Sequence, residues 1–348
     1  MSRCPAYRRV RSGWSLGLAL AAILAAMACG AGAEDGGGDH DLPTRLAGPY
    51  EKLPADPDTP IDEPIVLEDP DGDRAYYGPS ALRADDGRYT VYFTAEAADG
   101  EARIMRAGGV DLASEPFDVS VVLEAAAPWE ATRLAHPAVV KPGLAGAAFG
   151  LFYEAGTGEI GYADSPDGRT FTRHPDNPLV SPSGPEEGEW LGHPTAVWHA
   201  DAVLVYYTAG PPGAVFGARI TVGSGAFVVE RLDADPASAG RAPVLAPDPL
   251  PEAFDETAVG GASISISNEA GRPVFDLWYA GRRADGDWNI GFAGSYDGLL
   301  FKRFEENPVL RSGVPVESDP CVITQSVSAV MFYTHGEDQY RVIGAARY

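Results

Sequence analysis

From residue 60 onward the chain is a succession of short apolar runs broken by Gly, Asp, Asn and Pro, a pattern of strands and turns. One aromatic run recurs five times: Val91-Tyr92-Phe93-Thr94, Leu151-Phe152-Tyr153-Glu154, Val205-Tyr206-Tyr207-Thr208, Leu277-Trp278-Tyr279-Ala280 and Met331-Phe332-Tyr333-Thr334. Successive third positions are 60, 54, 72 and 54 residues apart, each step long enough for a four-stranded sheet with its loops. A second landmark precedes each run: Gly78-Pro79-Ser80-Ala81, His136-Pro137-Ala138-Val139, His193-Pro194-Thr195-Ala196, Gly261-Ala262-Ser263-Ile264 and Asp319-Pro320-Cys321-Val322. Proline is tolerated where a strand starts and no ladder donor is needed, so each landmark is expected to begin an inner strand, with the aromatic run the next strand out.

A third pattern closes two repeats. Ser165-Pro166-Asp167-Gly168 leads to Phe171 and then Asn177-Pro178-Leu179-Val180, while Ser295-Tyr296-Asp297-Gly298 leads to Phe301 and then Asn307-Pro308-Val309-Leu310. The Asp-Gly pairs predict type I′ hairpin turns. The fold class is therefore all-β: a five-bladed β-propeller of four-stranded antiparallel blades over residues 60–348. The last repeat is short, and a strand near Pro64–Glu68 is expected to complete it and close the ring.

The first 28 residues follow a different pattern. Arg3, Arg8, Arg9 and Arg11 precede an uncharged run from Trp14 to Met27, the length of a signal-peptide apolar region and short for a membrane span. Ala26-Met27-Ala28-Cys29 resembles a bacterial lipobox, in which Cys29 is lipidated and becomes the mature N-terminus; cleavage by ordinary signal peptidase after Ala-x-Ala is the plainer reading. Residues 29–59 then form an acidic linker. The expectation is an exported chain, lipid-anchored to the cell membrane or outer membrane, with a monomeric propeller on the non-cytoplasmic side.

Composition adds two limits. Net charge is −24, and losing the four arginines of the leader, which has no acids, takes it to −28, so nucleic acid is not an expected partner. Of three cysteines, Cys4 leaves with the leader and Cys29 carries lipid, so Cys321 has no partner for a disulfide within the propeller.

The S-x-D-G-x-x-F turn followed by N-P-L/V, the repeated strand-initial x-Pro and the five repeats resemble one clan of glycoside hydrolases. It holds the arabinanases and xylosidases of family 43, the invertases of family 32 and the mannoside-active family 130. The sialidase Asp-box is a poorer match, because Asp167 and Gly168 are adjacent. The resemblance implies a central funnel bearing an acidic nucleophile or base, a second Asp and a Glu acid where inner strands begin, and a carbohydrate ligand. Those positions here read Gly78, His136, His193, Gly261 and Asp319, so only one is a carboxylate.

The catalytic candidates are accordingly Asp319 and, from a rim loop, Glu256, since glycosidases need two carboxylates flanking the bond. Glu130, Glu189 and Asp255 are further rim acids. His136 and His193, in equivalent positions of adjacent blades, are expected to line the axis, either hydrogen-bonded within the channel or, with Asp319, forming a metal site or proton relay; no other cofactor is expected. Tyr77, Trp190 and Trp129 are candidate sugar platforms, and Arg133 and Arg74 candidate hydroxyl or carboxylate contacts. Asp69-Pro70-Asp71-Gly72-Asp73 alternates carboxylates but lacks the later Glu of a calcium loop, and reads as an acidic turn. The function expected is a carbohydrate-active protein that acts on or binds a glycan in the funnel; a catalytically inactive glycan-binding or protein-docking propeller is the alternative.

Overall fold

The computed structural model describes residues 46–53, 65–112, 118–223, 226–311, 315–337 and 340–348. The leader, Cys29 and most of the linker lie outside these. Two short strands come first, β1 (Glu51–Lys52) and β2 (Ile65–Leu67). Blade one follows with β3 (Arg74–Arg83), β4 (Tyr89–Ala97), β5 (Ala102–Val110) and β6 (Asp118–Leu123). Blade two holds β7 (Leu134–Val140), β8 (Phe149–Ala155), β9 (Ile160–Ser165) and β10 (Thr172–Arg173). Blade three holds β11 (Leu191–His199), β12 (Ala202–Ala209), β13 (Ala214–Val222) and β14 (Phe227–Arg231). Blade four holds β15 (Ala258–Glu269), β16 (Arg272–Arg282), β17 (Trp288–Ser295) and β18 (Lys302–Arg303), and blade five β19 (Val316–Thr324), β20 (Ala329–Glu337) and β21 (Tyr340–Arg347). Each blade is an antiparallel meander, and no α-helix occurs among the described residues.

The ring closes on blade five, where β2 pairs with β21 as the sequence predicts. A second N-terminal strand, β1, also pairs with β21, through Glu51 to Arg347 and Lys52 to Ala346, so the closing segment begins ahead of residue 60.

The aromatic runs are the second strands, as expected, and the core explains their paired rings. Successive side chains of a strand point to opposite faces, so two adjacent aromatics serve both neighbours of a blade. Phe152 packs with blade three and Tyr153 with blade one; Tyr207 packs with blade two and Tyr206 with blade four. The five larger buried apolar clusters lie one at each interface between neighbouring blades, and a small sixth, Ala75, Tyr77 and Ala135, joins blades one and two.

Two local expectations change. The x-Pro landmarks lie inside the inner strands, at a β-bulge that recurs in all five blades, between Tyr77 and Ser80, Ala135 and Ala138, Gly192 and Thr195, Gly260 and Ser263, and Ser318 and Cys321. A bulge leaves its extra residue out of the ladder, which is why proline is accepted there. In the Asp-Gly turns only Gly168 and Gly298 take positive φ, at 70° and 71°, so the turns are not type I′. Ser165 and Asp167 instead accept the backbone N–H groups of residues 167–170, and Tyr92 of blade one donates to the Gly168 carbonyl at 2.7 Å. Ser295, Asp297 and Tyr206 repeat the arrangement in blade four.

Candidate functional site at the propeller axis

The bulge residue has positive φ in every blade: Gly78 at 59°, His136 at 44°, His193 at 47°, Gly261 at 48° and Asp319 at 48°. That conformation costs a non-glycine residue about 1–2 kcal/mol. Three of five blades nonetheless carry histidine or aspartate there, where two use glycine. Space decides which two: a Cβ on Gly78 would stand 2.7 Å from His136 Cδ2, and one on Gly261 would stand 2.5 Å from Asp319 Oδ1. The space a side chain would need at these two glycines is taken by His136 and Asp319, which meet His193 at the axis.

Hydrogen bonds from blade to blade hold these bulges. The bulge N–H has no partner in its own ladder, and at four of the five bulges the fourth residue of the preceding aromatic run accepts it; before Asp319 that residue is Ala280, which has no acceptor side chain. Thr94 accepts from His136 at 2.8 Å, Thr208 from Gly261 at 3.1 Å and Thr334 from Gly78 at 2.9 Å. In blade two the fourth residue is Glu154, which accepts from the His193 N–H at 3.1 Å. A second series uses the residue two positions after the bulge. Ser80 accepts from Val139, Thr195 from Ile264 and Ser263 from Val322, and Cys321 Sγ closes the ring by accepting from Ala81 N at 3.1 Å.

Glu154 is longer than threonine and reaches into the axis. Its Oε2 lies 2.7 Å from His136 Nδ1, and its other oxygen pairs with Arg133. His193 Nδ1 lies 2.7 Å from Asp319 Oδ1, while Asp319 Oδ2 accepts from Thr334 at 2.9 Å and Ser318 at 3.0 Å. The two imidazoles stack, 3.6 Å between centroids with planes 27° apart, and His136 Nε2 stands 3.9 Å from Asp319 Oδ1. His136, His193 and Asp319, predicted from sequence to meet, are thus brought together.

Burial would raise both carboxyl pKa values, but the charged and hydrogen-bonding neighbours outweigh it. His136, His193 and Arg133 hold Glu154 below the carboxylate range, and His193, His136 and Thr334 do the same for Asp319. Burial lowers His136, with His193 adding to the effect. Burial pulls His193 down as well, and Asp319 more than reverses it, for a net upward shift.

Around this cluster, Trp190 is 37 % exposed and packs its edge on His193 at 5.7 Å, seated where Gly158 and Gly192 lack side chains. Arg133 also donates to the Tyr77 hydroxyl at 3.2 Å, and Tyr77 in turn donates to half-exposed Glu96. Beside Tyr77 and Glu96, with Tyr340 and Arg341 of blade five, opens a cavity of about 390 Å³.

Other sequence candidates take structural positions. Tyr77 is 1 % exposed, its ring between His136 and the Arg341 guanidinium, so it offers no open face for a sugar. Trp129 stacks on Tyr153. Glu130 is buried between Tyr153 and Arg173, at 2.9 and 2.6 Å, and Asp255 between Tyr279 and Arg303, at 2.9 and 2.8 Å. Glu187, Tyr207 and Arg231 form the same acid–Tyr–Arg set in blade three. Both oxygens of Glu256 accept backbone N–H groups, from Glu252 at 3.0 Å and Ala284 at 2.8 Å. Glu189 is exposed, and Arg74 opens β3. Asp69 caps its own turn, accepting from Asp73, Arg74 and the Tyr76 hydroxyl. Sequence reasoning passed over Glu154, although it is the only charged residue at the fourth position of the five runs, and Glu96, two residues after Thr94.

The fold and site define an all-β five-bladed propeller with a histidine–carboxylate cluster at its axis. Solved glycoside hydrolases share this fold. A glycosyl hydrolase from Bacteroides ovatus is 15 % identical, with a TM-score of 0.63 over 88 % of this chain and 95 % of that one. The catalytic domain of the Coprinopsis cinerea GH62 α-L-arabinofuranosidase is 13 % identical, with a TM-score of 0.60 over 88 % and 98 %. A structure described under GH130 mannoside phosphorylases and hydrolases of β-1,2 mannosidic linkages in Candida mannan is 14 % identical, with a TM-score of 0.60 over 88 % and 95 %. At these identities the likeness is one of fold. No family model and no curated protein matches the chain.

Proposed function

We propose that the chain is an exported, carbohydrate-active propeller that holds a glycan in its central funnel, by recognition and not by two-carboxylate hydrolysis. The observation that carries this reading is the commitment of both axial carboxylates. Ordinary glycoside hydrolysis sets one neutral carboxylic acid and one carboxylate on either side of the bond. Glu154 is engaged by His136, Arg133 and the His193 N–H, and Asp319 by His193, Thr334 and Ser318, so neither carboxyl is free to protonate a leaving oxygen. Trp190, exposed beside the cluster, is the sugar platform, with Arg133, Glu96 and His193 as polar contacts. The shared fold with solved glycoside hydrolases supports carbohydrate as the ligand class.

The test is incubation with a panel of polysaccharides and aryl glycosides, reading retention on the glycan and product release together. Retention without product supports recognition. Hydrolysis by Asp319 with Glu256, the competing reading, predicts product that Asp319→Ala and Glu256→Gln each abolish. The same proposal anchors the protein through lipid on Cys29. Palmitate incorporation that persists in Cys29→Ser would overturn that part.

A further inference from the structure

We propose that His136, His193 and Glu154 bind one divalent transition-metal ion of the zinc class at the propeller axis. One donor atom from each of the three lies within 4.8 Å of the other two. Zinc-class ions hold nitrogen and oxygen donors at about 2.0–2.2 Å, so ligand atoms around one ion stand roughly 3–4 Å apart, and sub-ångström shifts suffice. Two imidazoles and a carboxylate match ions of this class, whereas calcium and magnesium require oxygen shells. Three protein ligands leave a coordination position open.

The outer shell is in place as well. Asp319 Oδ1 lies 2.7 Å from His193 Nδ1 and 3.9 Å from His136 Nε2, so one carboxylate faces the second nitrogen of both rings. Metal-bound histidines keep such a partner on the nitrogen that does not ligate, which fixes tautomer and ring orientation. His193 Nε2, His136 Nδ1 and Glu154 are then the donors. The proton shared between His136 Nδ1 and Glu154 Oε2 leaves to solvent as the ion enters. The donors sit on rigid elements, β7, β8 and β11 of two adjacent blades. Both histidines are held at positive φ, a strain that recurs at ligand-binding positions. Charge is compatible: two carboxylates and Arg133 surround the ion.

The experiment uses the full chain, stripped with chelator and titrated with Zn²⁺ and Co²⁺ by calorimetry and visible absorption. One equivalent is expected, with the intense d–d bands of four- or five-coordinate cobalt, and with no competition from Ca²⁺ or Mg²⁺. His193→Gln and Glu154→Gln should weaken affinity by at least about 100-fold and Asp319→Asn by about 10–100-fold. His174→Ala, remote from the cluster, should leave it unchanged. Weak six-coordinate cobalt bands, no saturable equivalent, or folded His193→Gln with wild-type affinity would each overturn the site; should the variants not fold, the wild-type cobalt spectrum decides alone. No glycan is present in these titrations, so failure of the glycan reading leaves the result standing, and the reverse.

Discussion

Replacing Glu154 with threonine tests how far the axis depends on a single departure from the repeat. Threonine is the residue of three other blades at this position, and it keeps an acceptor for the His193 N–H. What is lost is the carboxylate that faces His136 Nδ1 at 2.7 Å and pairs with Arg133, while both donors remain in place. Glu154 is 1 % exposed, so the loss is that of a buried pair with one partner deleted, about 3–5 kcal/mol. At about 2–4 °C per kcal/mol for a domain of roughly this size, the lower end corresponds to a Tm about 6–12 °C below wild type. The measurement is differential scanning calorimetry of Glu154→Thr and wild type in the same chelator-containing buffer, with circular dichroism to verify that the blades form. A Tm within about 1 °C of wild type, the range of a neutral surface substitution, would refute the reasoning that the Glu154 carboxylate stabilises the buried His136 and Arg133 beside it.

Three further outcomes follow from the geometry. Cys321, whose thiol burial pushes up to about 11 and which accepts the Ala81 N–H, should resist iodoacetamide at pH 8 until the protein is denatured, as read by peptide mass spectrometry; Cys321→Ser should keep the Tm, since serine or threonine holds the equivalent place in three blades. For Glu130, burial raises the carboxyl, but Arg173 and the Ala126 and Ala127 N–H groups outweigh it, so its folded pKa is depressed. Its contribution is full above the unfolded pKa of about 4.3 and is lost as pH falls through the folded value, so the stability gap between wild type and Glu130→Gln in urea melts should narrow from pH 7 to pH 3. Gly261→Ala should destabilise by about 1–3 kcal/mol, because φ is +48° and the new Cβ would stand 2.5 Å from Asp319 Oδ1; equal melting temperatures would contradict the packing described for the axis.

The architecture was legible because a propeller repeats its reasons. Paired aromatics such as Phe152 and Tyr153 recur since every blade must fill two interfaces, and that period survives in the sequence. The meeting of His136, His193 and Asp319 was legible too, from the equivalence of their positions in the repeat. The bulge was not. Proline predicted a strand start, and only the left-handed backbone at these positions shows that the strand runs through. Glu154 was hidden for a related reason: it occupies a latch position where threonine suffices, and its reach to His136 runs across to the bulge of the adjacent strand of its own blade. Glu130 and Asp255, exposed on a simple reading of an acidic surface, are buried by tyrosines and arginines distant in sequence.

Glycan recognition at the axis is measured by calorimetric titration of the folded protein with a glycan retained in the panel, followed by chromatography of the same cell contents. Recognition predicts saturable binding, weakened about 10-fold or more in Trp190→Ala through loss of one aromatic platform, with the glycan recovered intact. Shortened glycan in the cell, or binding that Trp190→Ala leaves untouched, would contradict it.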